Sequence, residues 1–223
     1  MNIPQNFIEL CNFLHNKYMF KNVLVVRSCT TGEFLDELVL DNTNITRITY
    51  ITDKQRSIID IREKINILRK THKVIKYGAL QEQLNTINMK YDLICLDPFH
   101  EYEHSYNDLF LLKSLLTENG VLICHDCYPS NKIYTTPYYK IHEWSGITYA
   151  VFVELAYNNP DLYFAVINVD YGLGIISKKQ IEFVKKGFNC ELQKEFVTLL
   201  KNNNTNIYEF FIDNATELIN IIM

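Results

Sequence analysis

Asp97 closes an apolar run, YDLICLD, and His100, Glu101, Glu103, His104 and Asp108 follow within eleven residues. A carboxylate at the end of a buried strand needs a cationic partner, a metal ion or water. A second such strand end comes at residues 121–126, VLICHD, which sets His125 and Asp126 beyond another apolar run. Two carboxylates on neighbouring strand ends can share a hard divalent cation such as Mg²⁺. A histidine beside them can act as general base. His100, His125 and Asp126 are therefore candidate catalytic residues, and Asp97 and Asp126 candidate metal ligands. The competing role for Asp97 is to cap the next helix, with the histidines serving as hydrogen-bond partners. Glu101 and His104 are expected at a solvated helix start.

Two further stretches could bind a ligand. RSCTTG, residues 27–32, links a strand to a predicted helix with Thr30 or Thr31 as its cap. Backbone in such a turn approaches a ligand closely, and a helix N-terminus offers free N–H groups. This makes Ser28 and Gly32 candidate binding residues. Asp53 lies 21 residues beyond Gly32, a spacing similar to that between glycine loop and ribose-binding acid in nucleotide-binding α/β folds. Asp53 could equally cap the helix begun by KQRSII.

The elements that must position these residues alternate. An amphipathic helix is expected over residues 4–20, with Phe7, Leu10, Cys11 and Leu14 on one face. Strands are expected at 22–26, 45–52, 72–77, 91–97 and 121–126, separated by helices after Gly32, at 54–70, at 79–87 and at 105–116. Asn119-Gly120 reads as a turn before the fifth strand. A helix from 142 to about 157 follows, then strands LYFAVINV and GLGIIS with no helix between them. The alternation implies a parallel sheet covered on both faces, and the last two strands an antiparallel edge hairpin. In such sheets ligands bind outside the carboxyl ends of the strands, which places Asp53, Asp97 and Asp126 on one rim. The segment after strand five carries Tyr134, Tyr138, Tyr139 and Trp144 and is long enough to be a lid.

Composition excludes some classes. The chain has 223 residues, 48% hydrophobic, with net charge −4. It can bury a core, and it has no basic field for nucleic acid. No apolar run approaches the ~18 residues of a membrane span, and no signal-peptide pattern opens the chain. Six cysteines, several within apolar runs, fit a reducing, cytoplasmic setting. Cys124 and Cys127 form a lone CxxC without a second pair at zinc spacing, so two free thiols are expected.

YDLICLDPFHEYE, the following Asp108 and NGVLICHDCYPSN together resemble the class I S-adenosylmethionine-dependent methyltransferases. More narrowly they are similar to methyltransferase family 24, including members that act on surface glycans. PDL at 160–162 and DYGLGII at 170–176 extend the resemblance. It implies the methyltransferase variant of the Rossmann arrangement. It also implies S-adenosylmethionine as cofactor, held by Ser28, Gly32, Asp53 and Asp97. Five residues depart from the family pattern. Val26 stands where the first loop has an acid and Ser28 where it has a glycine. Ala79 lies where an acid often flanks the adenine, and Ile147 and Ala150 replace an Asp and a Lys.

The expected fold is therefore α/β: about seven strands, mostly parallel, with an antiparallel edge hairpin. An N-terminal helix (1–20), an α/β domain (21–178) and a C-terminal helical extension (179–223) divide the chain. The expected function is an S-adenosylmethionine-dependent O-methyltransferase acting on a sugar or glycan hydroxyl, assisted by Mg²⁺ or a similar cation. The expected partner is a small-molecule or glycan acceptor, with neither nucleic acid nor membrane involved; a homo-oligomer is compatible with this. Two rivals stay open. One is a catalytically inactive methyltransferase-fold protein with a binding or assembly role. The other is a sugar-nucleotide enzyme on a similar fold, which leaves the HDCYP match unexplained.

Overall fold

The apolar runs become strands in a computed structural model that describes residues 3–52, 73–76, 84, 89–140 and 143–223. These are β1 (Asn22–Ser28), β2 (Asn44–Ile51), β3 (Lys73–Lys76), β4 (Tyr91–Asp97), β5 (Leu116–Cys124), β6 (Tyr163–Ile167), β7 (Leu173–Ser177) and β8 (Ile221–Ile222). They form one sheet in the order β3-β2-β1-β4-β5-β7-β6-β8. The first five follow the doubly wound order and are parallel. β7 is inserted antiparallel between β5 and β6. This is the expected methyltransferase-type α/β sheet, extended by the short β8, which runs parallel to β6. Because β6 opposes β7 and β7 opposes β5, β6 runs with β5 and ends on the same rim.

Alternation along each strand divides the core. Val23 and Val25 of β1 face one side with Leu93, Cys95, Val121 and Ile123, covered by Phe7, Leu10, Cys11 and Leu14 of α1 (Phe7–Tyr18). Leu24 and Val26 face the other with Ile94, Leu96 and Leu122. That side is covered by α2 (Tyr102–Ser114) and α3 (Thr148–Asn158) through Leu109, Leu112, Val151 and Phe152. Each fully buried Leu, Val or Phe contributes about 1.5–3 kcal/mol. α1 is capped by Asn6, whose side chain accepts the Glu9 N–H at 2.9 Å. The C-terminal segment forms a hairpin of α4 (Cys190–Lys201) and α5 (Ile207–Leu218), broken at the NNNTN stretch. Phe196 and Phe211 of this hairpin pack on Tyr149 and Val153 of α3.

Three expectations need correction. The helix after Gly32 is only a 3-10 turn, Glu33–Glu37, with Gly32 and not a threonine at its N-terminus. Asn119-Gly120 lies within β5, not before it. The register with β4 slips between the Tyr91 and Leu93 pairings, and the bulged residues are absorbed there. α3 starts at Thr148, not 142, because residues 143–147 are held as irregular backbone by the rim. The expected helices at 54–70 and 79–87 lie outside the described residues, apart from Leu84. Among the described residues no helix is long and apolar enough to cross a membrane.

Candidate active site

Asp97 is the last residue of β4, and the Leu96 carbonyl accepts the His125 N–H just beyond β5. Adjacent parallel strands thus deliver Asp97 and the His125-Asp126 pair side by side. All are buried: Asp97, His100, His125 and Asp126 are no more than 7% exposed. His100 Nε2 lies 3.2 Å from Asp126 Oδ2 and 3.6 Å from Asp97 Oδ1. His125 Nδ1 lies 3.0 Å from Asp126 Oδ2 and 3.6 Å from Asp97 Oδ2. Asp126 adopts a left-handed φ of 62° to turn its carboxylate into this cluster.

The electrostatics are uneven. Burial pushes Asp97 up to about 6, with the neighbouring imidazoles opposing the rise. Burial acts upward on Asp126 too, but His125 and His100 outweigh it and hold this carboxyl at about 2. Burial lowers the His125 imidazole, yet Asp126, Asp170 and Asp97 together raise it well above its usual range. His125 is therefore an imidazolium bracketed by carboxylates. Asp97 Oδ1 is buried with no hydrogen-bond partner.

Asp97, His100 and Asp126 bring one ligand atom each within 4.8 Å of one another. Two carboxylates and an imidazole around an orphaned carboxylate oxygen suit a divalent ion. The mixed oxygen and nitrogen donors suit Mn²⁺ or Fe²⁺ better than an all-oxygen ion such as Ca²⁺. Asp97 is not a helix cap: α2 is preceded by Glu101 at its N-cap. Glu101 is 7% exposed, and the His104 ring packs edge-on to Phe99 at 5.3 Å, so these two do not form a solvated helix start.

The β1 loop closes one side. Gly32 has φ +63°, and a Cβ there would fall 2.7 Å from the Asp97 Cβ, so the loop's close approach is to Asp97 itself. Ser28 accepts hydrogen bonds from the Thr30 N–H at 3.3 Å and the Thr31 hydroxyl at 3.1 Å. Arg27 organises the loop from beneath. Its guanidinium is 2% exposed and paired with both Asp36 oxygens, at 2.9 and 2.6 Å. It also donates to the carbonyls of Ser28 and Thr31. Val26, on the same strand, is fully buried in the core. Asp53 lies outside the described residues.

Residues 129–140 and 143–147 form a strap across the rim. Trp144 donates to the Thr136 carbonyl at 2.7 Å and packs edge-on to His100 at 5.2 Å. Gly146, at φ +54°, lies where any side chain would strike the His100 carbonyl. The cavity above the cluster is about 210 Å³ and is lined by Thr31, Gly32, Asp97, His100, Asp126 and Tyr171, among others. That is below the size of common ligand sites, so this part of the rim suits an ion and a small reacting group.

Sequence reasoning missed Asp170 and Thr148. Asp170 Oδ1 is 3.4 Å from His125 Nε2, and Oδ2 accepts the Phe7 N–H at 3.2 Å. Asp170, Tyr171 and Gly172 all have positive φ, and this turn between β6 and β7 carries the carboxylate back to the rim. The DYG signal was visible, but nothing in it revealed where the turn would fold. Thr148 shares hydrogen bonds with His100 Nδ1 and Ser105, both at 3.2 Å. Cys124 and Cys127 are buried free thiols behind the cluster, and burial pushes Cys124 well above the usual thiol range.

The family model of methyltransferase family 24, a methyltransferase domain, matches residues 32–127. No curated protein matches the chain. Similar solved structures include the SAH-bound methyltransferase PaMTH1 of Podospora anserina, at 20% identity, covering 78% of each chain with a TM-score of 0.49. Another is the O-methyltransferase TomG of Streptomyces achromogenes in complex with SAM, at 14% identity, 75% and 77% coverage and a TM-score of 0.48. A third is the Bacillus cereus O-methyltransferase in complex with SAH, at 14% identity, 74% and 78% coverage and a TM-score of 0.47. The strand order carries the fold assignment by itself. The matched stretch runs from Gly32 to Cys127 and contains Asp97, His100, His125 and Asp126, so the part of this chain that matches a methyltransferase domain is also the part that builds the buried cluster.

Proposed function

We propose that the chain is an S-adenosylmethionine-dependent O-methyltransferase acting on a hydroxyl of a small molecule or glycan. The observation that carries this reading is the convergence of two carboxylates and two imidazoles on the carboxyl rim, within the stretch that matches a methyltransferase domain. The reaction would be a direct displacement: the O–CH₃ bond forms as the S–CH₃ bond breaks, the sulfonium leaves as a neutral thioether, and the hydroxyl proton passes to solvent water. Positioning supplies much of the rate in such a transfer.

Asp97, His100 and Asp126 would hold a divalent cation, which supplies acidification of the acceptor hydroxyl. His125, between Asp126 and Asp170, keeps positive charge beside the two ligand carboxylates and so allows both to be buried. The β1 loop, with Ser28 and Gly32, and the β2 end leading to Asp53 are where the cofactor is placed. Val26 is an apolar core residue at the position of the family's acid, so the cofactor lacks that hydrogen-bond partner. A dissociation constant looser than about 10 μM is expected.

The test is calorimetry with S-adenosylmethionine, Mn²⁺ and Mg²⁺ on the parent protein and on Asp97→Asn. The variant should keep its circular dichroism spectrum and lose cation affinity by at least about thirtyfold. Equal cation binding by both proteins would remove Asp97 from the site. Failure of the parent to bind S-adenosylmethionine would leave the silent-scaffold reading in its place.

A further inference from the structure

His100 is gripped by the segment that leads into α3. The Ile147 N–H donates to the His100 carbonyl at 2.9 Å. A Cβ on Gly146 would fall 2.1 Å from the same carbonyl oxygen, so the two backbones touch. Trp144 stands edge-on to the ring at 5.2 Å. Thr148, the first residue of α3, places its hydroxyl 3.2 Å from His100 Nδ1. At the opposite end of the ring, Nε2 lies 3.2 Å from Asp126 Oδ2 and 3.6 Å from Asp97 Oδ1. Asp97 Oδ1 is the carboxylate oxygen that has no hydrogen-bond partner. The imidazole therefore spans from a hydroxyl to the place where a cation would sit.

An imidazole turned by about 180° around its Cβ–Cγ bond keeps nearly the same shape but puts carbon where each nitrogen was. Packing against Trp144 barely distinguishes the two orientations. Thr148 does, because only one of them sets a nitrogen against its hydroxyl, and that one aims Nε2 at the carboxylates. The hydroxyl is itself held in place. Thr148 Oγ1 and Ser105 Oγ are 3.2 Å apart, and Ser105 donates to the Phe99 carbonyl at 3.4 Å. Ser105 and Thr148 are fully buried and His100 is 2% exposed, so these groups must satisfy one another. A ring nitrogen that gives its lone pair to a cation leaves the hydrogen on the other nitrogen. Nδ1–H then donates to Thr148, Thr148 to Ser105, and Ser105 to the Phe99 carbonyl, which can only accept. The direction of this chain suits a cation on Nε2.

We propose that Thr148, backed by Ser105, is the positioning residue that makes His100 a cation ligand. It sets the orientation of the ring and accepts the Nδ1 hydrogen, so that the Nε2 lone pair faces Asp97 and Asp126. Thr148 acts through the imidazole and is not itself a ligand. The proposal rests on the cation site of the O-methyltransferase reading and does not require methyl transfer.

The test is calorimetric titration of Mn²⁺ into the full chain, paired with electron spin-echo spectroscopy of the Mn²⁺-loaded protein, which registers a directly coordinated imidazole as nitrogen modulation of the echo. The parent should bind Mn²⁺ and show the modulation. Thr148→Val, which keeps the shape of the side chain and removes its hydroxyl, should bind at least about tenfold more weakly and lose the modulation. Thr148→Ser, which restores the hydroxyl, should recover both. If Thr148→Val does not fold, Ser105→Ala carries the test, with an expected loss of about threefold in affinity; unchanged affinity there would count against the proposal. Equal Mn²⁺ binding by Thr148→Val, a parent that binds Mn²⁺ without nitrogen modulation, or a loss that Thr148→Ser does not recover would overturn this proposal and leave the carboxylate site standing. A parent that binds no Mn²⁺ would overturn the cation site and this proposal together.

Discussion

The Tyr50 hydroxyl accepts the Phe99 N–H at 2.7 Å and donates to Asp108 Oδ2 at 2.5 Å, so one phenol ties α2 to the loop between Asp97 and His100. Asp108 is 1% exposed, and burial pushes its carboxyl up to about 7 against the Tyr50 bond. The folded state thus holds a proton that the unfolded chain releases near 4. The resulting stability is fully present below pH 4 and is lost as pH rises from about 4 to about 7. Asp108→Asn keeps an acceptor for Tyr50 and removes the titration. It should melt with the parent at pH 4 and several degrees above it at pH 8, by calorimetric scans at both values. Asp97, His100, His125 and Asp126 were legible in the sequence because each lies at or just past the end of an apolar run. Asp170 was not, because its bond to Phe7 spans 163 residues and depends on the antiparallel excursion of β6 and β7.

The strands were the most legible elements. β1 and β4 are built around the apolar runs VLVV and LICL, and burial on both faces leaves no other use for them. The β1 loop was misread because FLDELVL has helical spacing, whereas tertiary contacts hold this loop: Gly32 against Asp97, and Arg27 under the carbonyls of Ser28 and Thr31. A single ion pair carries much of that arrangement. Asp36→Ala should leave the Arg27 guanidinium buried without its carboxylate and cost about 2–3 kcal/mol in urea unfolding. If the loop organises the rim, the same variant weakens cation binding although Asp36 touches no member of the cluster. Unchanged stability would show that the loop holds its shape without the Arg27–Asp36 pair.

At the scale of the molecule, the α4–α5 hairpin is fastened to the α/β body by a polar latch within an apolar contact. Lys201 pairs with Glu154 at 2.7 Å, and the Tyr102 hydroxyl donates to the other Glu154 oxygen at 2.7 Å. Glu154 is only 3% exposed, so Lys201→Met would leave a buried carboxylate with half its support. Hydrogen exchange should then quicken across α4 and α5 by at least about tenfold while β4 and β5 keep their protection. Uniform quickening would mean that hairpin and sheet open together. The chain beyond β7 also lies along the margin of the sheet. The outward N–H groups of Phe164, Val166 and Asn168 donate to the carbonyls of Lys185, Asn220 and Ile222. An open β-strand margin is a template for pairing between molecules. The C-terminal segment therefore acts as a guard on solubility: a chain cut before Lys185 would expose those three donors in a row and be drawn into edge-to-edge association, which light scattering would register as growth in particle size.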